Sequence, residues 1–323
     1  MATNFPRQAV ATAIVQESFL KVTGLVADCI FPRVQTPCFF QYIDWTNGIN
    51  IQLVDDAVSC KSDVKEVDPE AFTLVTGKVK DHALSQSMGD CCETLCGGPD
   101  LSARKEQGKT VQLLNRLLIN REREAVVLAT TESNYVAGSG APDGVKSNEG
   151  VMWTITPTNF NDPNFALLKY FQYIQVGNKR TGRRTKAVMS QNKLNAFMSH
   201  PDFLGAGCIV DPVTTSSKVA ALLGVNEICV ADAYYNSAVG PTPTYTSLWP
   251  DEYILFTASY DMLTADEQQV GFGFTAYDKG MRVNYYLKEE KGPDAGVQMQ
   301  KQAHDLTPIV MTYLAATLVK VSV

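Results

Sequence analysis

Gly108, Lys109 and Thr110 complete the pattern Ala103-x-x-x-x-Gly-Lys-Thr, the relaxed form of a phosphate-binding loop. In such a loop backbone N–H groups curl around phosphates, the lysine neutralises them and the hydroxyl helps to hold Mg²⁺. The run ICVAD, ending at Asp232, could stand in for the second, Mg²⁺-holding motif of an ATPase. The surroundings oppose this chemistry. A phosphate loop follows a buried apolar strand, whereas here Gly98, Pro99, Asp100, Leu101 and Ser102 come first. The inner loop positions are Arg104, Lys105, Glu106 and Gln107, which are helix formers and not glycines. A P-loop ATPase using Lys109 and Thr110 therefore stands only as the weakest alternative.

Other chemical groupings also fall short of a site. Gly271-x-Gly273-x-x-Ala276 has the outline of a dinucleotide fingerprint, but it runs into YDKGMRVNYY, a strand, where a helix is required. A glycine-bearing strand at a close backbone approach is the better reading. Cys91, Cys92 and Cys96, with His82 upstream, lack the Cys-x-x-Cys knuckle and a second ligand pair, so thiols packed in a loop are expected. Cys208 and Cys229 lie in apolar segments and read as small core residues. His200 precedes Pro201 at a helix end and reads as a cap, and His304 stands alone. No nucleophile elbow, His-Glu-x-x-His or calcium loop occurs. The expectation is a non-enzymatic chain with no catalytic residue, no cofactor and no metal.

The elements that would position any site are more telling. Val111, Leu114, Leu118, Ala125 and Leu128 recur at steps of three, four and seven, which predicts one long amphipathic helix over 102–135. Arg104, Lys105, Glu106, Lys109, Arg116, Arg121, Glu122, Arg123 and Glu124 surround that stripe and read as a broad charged face. Upstream, Val10, Ile14, Val15, Leu20 and Val22 predict a short amphipathic helix. Pro32 and Pro37 then impose an extended arm. Segments 49–58 and 71–84 read as two strands of a projecting hairpin with a polar tip at 59–70. Beyond a Gly- and Ser-containing loop at 136–150, helices and strands alternate. DPNFALLKYFQYIQ, QNKLNAFMSHPDF and KVAALLGV read as helices, and TKAVMS, EICVADAYYN and SLWPDEYILFTAS as strands. GFGFTAYDKGMRVNYYLK reads as a strand pair. This order predicts an α+β fold.

Composition narrows the classes. The chain has 323 residues, 45% of them hydrophobic, enough for a sizeable core. Its net charge of −6 disfavours sequence-specific DNA binding, which needs a basic footprint. No apolar run is long enough for a membrane span, and the first residues make poor signal-peptide material, so a cytoplasmic origin is expected. Eight cysteines without a secretory signal are expected to be reduced thiols.

In the order of its elements the chain resembles the major capsid proteins of tailed bacteriophages, the Hong Kong 97-type fold. The resemblance rests on Phe31-Pro32-Arg33-Val34, the Arg121-Glu122-Arg123-Glu124 run, Met152-Trp153 followed by Asp162-Pro163, and the phrases LNAFMSHPDF, VAALLGVNEICVADAYYNS and SLWPDEYILF. It implies an N-terminal arm (1–44), an extended loop (45–96), a peripheral domain with a spine helix (97–160), an axial domain (161–274) and a return to the peripheral domain (275–323). It further implies a virion protein that assembles in the host cytoplasm into pentamers and hexamers of an icosahedral head around double-stranded DNA. Its partners would be its own copies, with a separate scaffolding protein, a portal and decoration proteins; no membrane is implied. An encapsulin-like nanocompartment shell is the alternative with the same fold. Lys61, Lys65, Lys78 and Lys80 lie where some family members cross-link, but the required site has no match here, so that activity is not carried over. Lys78, Lys80, Arg104, Lys105, Arg116, Arg121 and Arg123 are the expected inter-subunit contacts.

Overall fold

The computed structural model describes residues 24–44, 73–87, 99–137, 151–177, 185–205, 212–238, 242–258, 271–287, 298–311 and 313–321. Outside them lie the expected first helix, the 49–58 strand with its polar tip, Lys61 and Lys65. Cys60, Cys91, Cys92, Cys96 and Cys208 also lie outside, as do most of the 136–150 loop and the side chains of Arg104 and Lys105.

Helix α1 (Ala27–Ile30) leads into strands β1 (Arg33–Gln35) and β2 (Phe39–Asp44). Strands β3 (Thr73–Lys78) and β4 (His82–Ser87) precede the long helix α2 (Pro99–Thr130) and strands β5 (Val136–Ala137) and β6 (Val151–Ile155). Helices α3 (Pro157–Asn161) and α4 (Leu167–Gly177), strand β7 (Thr185–Ser190), and helices α5 (Gln191–Ser199), α6 (Pro201–Gly205) and α7 (Pro212–Leu223) follow. The remaining strands are β8 (Glu227–Ala231), β9 (Tyr234–Asn236), β10 (Tyr245–Ser247), β11 (Tyr253–Ala258), β12 (Gly273–Tyr277), β13 (Arg282–Leu287), β14 (Gln298–His304), β15 (Thr307–Val310) and β16 (Ala316–Val321).

A six-stranded mixed sheet, ordered β5-β6-β16-β11-β7-β8, divides the core into two layers. Strand alternation makes the division. Ala187 and Met189, Ile254 and Phe256, and Val319 and Val321 face helices α4 to α7, where Phe171, Phe197, Phe203 and Val219 meet them. Val188, Leu255 and Leu318, one register position away, face α1, Trp249, Phe272 and the far end of α2. Each fully buried side chain of this size contributes about 2 kcal/mol. Local chemistry sets the helix ends. Ser190 Oγ accepts the Lys193 N–H at 3.2 Å to start α5, and His200 closes that helix as its C-cap, as the sequence implied.

Helix α2 begins and ends a few residues before its expected bounds and bridges two layers. Leu114 and Leu118 pack with Val283 and Leu306 over the β13-β14-β4 sheet, while Ala125, Val126 and Ala129 pack on the six-stranded sheet. Its buried residues run 110, 113, 114, 117, 118, 121, 122, 125, 126 and 129. The stripe is therefore broader than expected and takes in Arg121 and Glu122, which the sequence reading placed on the charged face. Val111 and Leu128 are only half-buried.

The strand expectations need four corrections. β3 pairs with β2, from Phe39↔Lys78 to Asp44↔Thr73, so among the described residues its partner comes from the supposed arm; the expected 49–58 strand lies outside them. The expected 71–84 strand breaks at Val79, because the chain passes there from one sheet to another: β4 pairs with β14. The two strands of 271–287 do not pair with each other. β12 lies between β1 and β15, and β13 pairs with β14. EICVADAYYN and SLWPDEYILFTAS each break into two strands, with Trp249 and Pro250 forming the second break.

Candidate interaction surfaces

A polar joint sits at the middle of α2, where its two packing surfaces meet. Glu122 Oε1 and Oε2 accept the N–H groups of Val26 and Ala27 at 2.6 and 3.0 Å, closing the start of α1. Burial raises the Glu122 pKa, against the pull of those two N–H groups and of Arg121. Arg121 Nη2 donates to Asp28 Oδ1 at 2.5 Å, and Arg33 grips the same carboxylate through Nε and Nη2 at 2.8 and 2.5 Å. Burial alone would raise Asp28; the two guanidinium groups outweigh it and hold the pKa at about 2. Arg121 is 3% exposed, so it is turned into its own subunit and does not present the expected contact.

Beside this joint a disulfide joins Cys29 to Cys229, with a Cα–Cα distance of 6.5 Å. The core placement expected for Cys229 holds, but the expectation of reduced thiols fails for this pair, while Cys38 is a free thiol as expected. Residues 200 apart in sequence meet because α1 lies over β8 on the second face of the sheet. The Glu227 carboxylate lies within 4.8 Å of both sulfurs, and Lys186 pairs with it at 3.2 Å. Only the reduced pair could serve with Glu227 as metal ligands, because ligation needs thiolates.

The β2–β3 hairpin offers an outward apolar face. Phe40 and Tyr42 turn inward on Phe274 and root the hairpin, with Phe40 packed across Gly77, where a Cβ would come within 2.6 Å of the ring. Phe39 and Leu74 are 63% and 57% exposed, and the Lys78 ammonium lies 5.3 Å from the Phe39 ring centroid. Phe39 and Lys78 are direct cross-strand partners. Tyr234 and Tyr245 on the β9–β10 hairpin are also exposed. None of these aromatic residues was singled out in the sequence. Alternation of inward Phe40 and Tyr42 with outward Phe39 was the available signal.

A groove of about 540 Å³ runs along α2, lined by Lys80, His82, Asn120, Arg123, Glu124, Val127, Leu128 and the β15 residues Thr307 and Pro308. Thus Lys80 and Arg123 come together, and Arg116 is exposed on the same helix. His82 stacks on His304 with ring centroids 5.1 Å apart, and its Nε2 lies 3.8 Å from Glu124 Oε2. Burial, with the His82 ring and Arg121 beside it, lowers the His304 pKa to about 4.

The nucleotide motif dissolves in this geometry. Residues 103–110 are helical throughout, so no loop can cradle phosphate. Thr110 is buried, exchanging hydrogen bonds with Gln300, and Lys109 donates to the Ser87 carbonyl at 3.2 Å. Asp232 donates its N–H to the Gly24 carbonyl, at the far end of the sheet strand β8. Gly273 meets the bland expectation: a Cβ there would fall 2.2 Å from the Ile309 carbonyl oxygen.

No protein-family model and no curated protein sequence matches the chain. Solved structures do. A phage-related protein from Bordetella bronchiseptica aligns over 97% of this chain and 96% of its own, with 16% identity and a TM-score of 0.62. The putative capsid protein of an Escherichia coli prophage aligns over 98% and 99%, at 12% identity and a TM-score of 0.55. The chain has the fold of phage capsid proteins. The same capsid fold aligns with a virus-like particle from Pyrococcus furiosus over 99% of this chain and all of that one, at 10% identity and a TM-score of 0.52. No described helix is long and apolar enough to cross a membrane.

Proposed function

We propose that this chain is a structural shell protein, the major capsid subunit of a phage head. The observation that carries the reading is the end-to-end fold likeness to a prophage's putative capsid protein, covering 98% of this chain and 99% of the other. The surfaces support it. The hairpin carries exposed Phe39 and Leu74 on the face turned away from its own core. Exposed apolar side chains grouped in this way mark protein contacts, and repeated self-contacts that close by rotation build rings and shells.

In this reading α2 is the spine helix of a peripheral domain, and the α4–α7 layer with its sheet forms the axial domain. The boundaries are those of the arm (1–44), extended loop (45–96), peripheral (97–160 and 275–323) and axial (161–274) segments. Lys78, Lys80, Arg104, Lys105, Arg116 and Arg123 contact neighbours in pentamers and hexamers, and Arg121 drops out of that set. Double-stranded DNA is enclosed without sequence-specific contact, which suits a net charge of −6. A separate scaffolding protein, a portal and decoration proteins complete the virion, after assembly in the host cytoplasm.

The likeness to the Pyrococcus furiosus particle favours a second reading, an encapsulin-like nanocompartment shell. Electron microscopy of the overexpressed protein, with nucleic-acid content measured on the same particles, tests both. Rings, tubes or closed shells support assembly, and DNA inside shells from infected or induced cells selects the phage reading. A monomer at every salt and protein concentration overturns both.

A further inference from the structure

The geometry points to Cys29 and Cys229 as an oxidation-dependent clasp that fastens the segment at residues 24–35 to the central sheet. This inference does not depend on the shell reading. The fastening has two layers. One is non-covalent: Glu122 accepts the Val26 and Ala27 N–H groups, and Arg121 holds Asp28. The other is the bond from Cys29, next to Asp28, to Cys229 on β8, an edge strand of the sheet. A helix as short as α1 has no stability of its own, so these ties hold it in place. The non-covalent tie survives reduction, so the thiols stay juxtaposed when the bond is open. That arrangement makes a reversible device and not a bond needed for folding.

Access is graded. Cys29 is half-buried and Cys229 is buried at 9% exposure, so Cys29 meets a small oxidant first. With a small-molecule disulfide such as oxidised glutathione, the Cys29 thiolate attacks one sulfur and expels one glutathione thiolate. The Cys229 thiolate then attacks the Cys29 sulfur of the mixed disulfide and expels the second. Two protein thiols lose two electrons and two protons, and one oxidant molecule gains both pairs. Two equivalents of monothiol reverse the step. Because the bond spans 200 residues of sequence, closing it removes much of the freedom of the unfolded chain. The segment it pins runs into β1 and β2, so the clasp also fixes the root of the β2–β3 hairpin.

The test equilibrates the full chain with oxidised and reduced glutathione in set ratios, alkylates free thiols in denaturant and maps peptides without reduction. The expected result is a Cys29–Cys229 linked peptide that appears with oxidant and vanishes with reductant while the far-ultraviolet circular dichroism stays constant. The oxidised form should melt several degrees higher, an unfolding constant lower by about a hundredfold. Cys29→Ser and Cys229→Ser should each melt as the reduced protein does under both conditions, and Cys38→Ser, which removes an exposed free thiol, should retain the difference. The clasp is overturned if both cysteines stay alkylatable under oxidant, or if either pairs elsewhere. Equal melting of the two redox forms also overturns it. So does one stoichiometric zinc ion in the native protein that Cys29→Ser or Glu227→Gln removes, since the thiols would then be metal ligands. If both serine variants fail to fold, the wild-type peptide map and melting comparison decide alone.

Discussion

Arg121 and Glu122 are neighbours in sequence and both buried, yet they do different work: one holds a side chain of α1, the other its backbone. Arg121→Met should cost about 2–3 kcal/mol in chemical denaturation, because it strips a charged hydrogen bond from Asp28. Arg116→Met, at an exposed position on the same helix, should change stability by less than about 0.5 kcal/mol. His304 gives the pH dependence. Its folded pKa of about 4 lies below the ordinary 6.5, so the unfolded chain takes up the proton first. Stability from this group is complete above pH 6.5 and falls, by roughly 3 kcal/mol in all, as pH drops from there to about 4. Denaturation midpoints across that range should show a slope that His304→Gln flattens; an unchanged slope would assign it to other groups. The sequence hid these residues for a physical reason. A run such as Arg-Glu-Arg-Glu is ordinarily solvated, and only the docking of a segment ninety residues upstream makes two of its members inward-facing. Cys29 and Cys229 were invisible as a pair for the same reason, since the meeting of α1 and β8 is tertiary.

At the scale of elements, the long helix and the helices of the α4–α7 layer were legible because their apolar period is 3.6 and their caps are local, as with Ser190 and His200. Strand existence was legible in part: β3, β4, β7, β8, β9, β11, β12 and β13 fall in segments read as strands, while β6, β14, β15 and β16 do not. Partnership was not legible. β3 found β2 and β12 found β1 and β15, because pairing is decided by which faces can be buried together and the sequence period of two is the same for any partner. Gly273 shows what alternation can still say, since a glycine within a strand marks close approach. Gly273→Ala should destabilise the subunit by about 3 kcal/mol, measured by its denaturation midpoint, as a Cβ has no room against the Ile309 carbonyl and the Phe31 ring. The hairpin gives the opposite behaviour. Phe39→Lys with Leu74→Lys should leave the subunit's melting nearly unchanged, because both side chains already face water in the isolated chain. The same pair should abolish particle formation in sedimentation if that face covers a neighbour.

For the whole molecule, the α+β class and the likeness to phage capsid folds were readable, and the comparison with solved structures agrees at that level. The way α2 ties two sheets together was not readable, because the pattern marks a buried face without saying what it is buried against. Charge belongs to this scale too. With a net charge of −6, copies repel one another, and assembly should strengthen as salt rises from low to moderate, read by light scattering. The central sheet carries one more consequence. β16, the last described strand, lies between β6 and β11 and joins β5–β6 to β11–β7–β8. A nascent chain that stops short of residue 316 leaves two separate half-sheets with open edges. Closure of the central sheet therefore waits until residues 316–321 have left the ribosome, which makes folding of the middle of the molecule post-translational with respect to β5–β8 and β11.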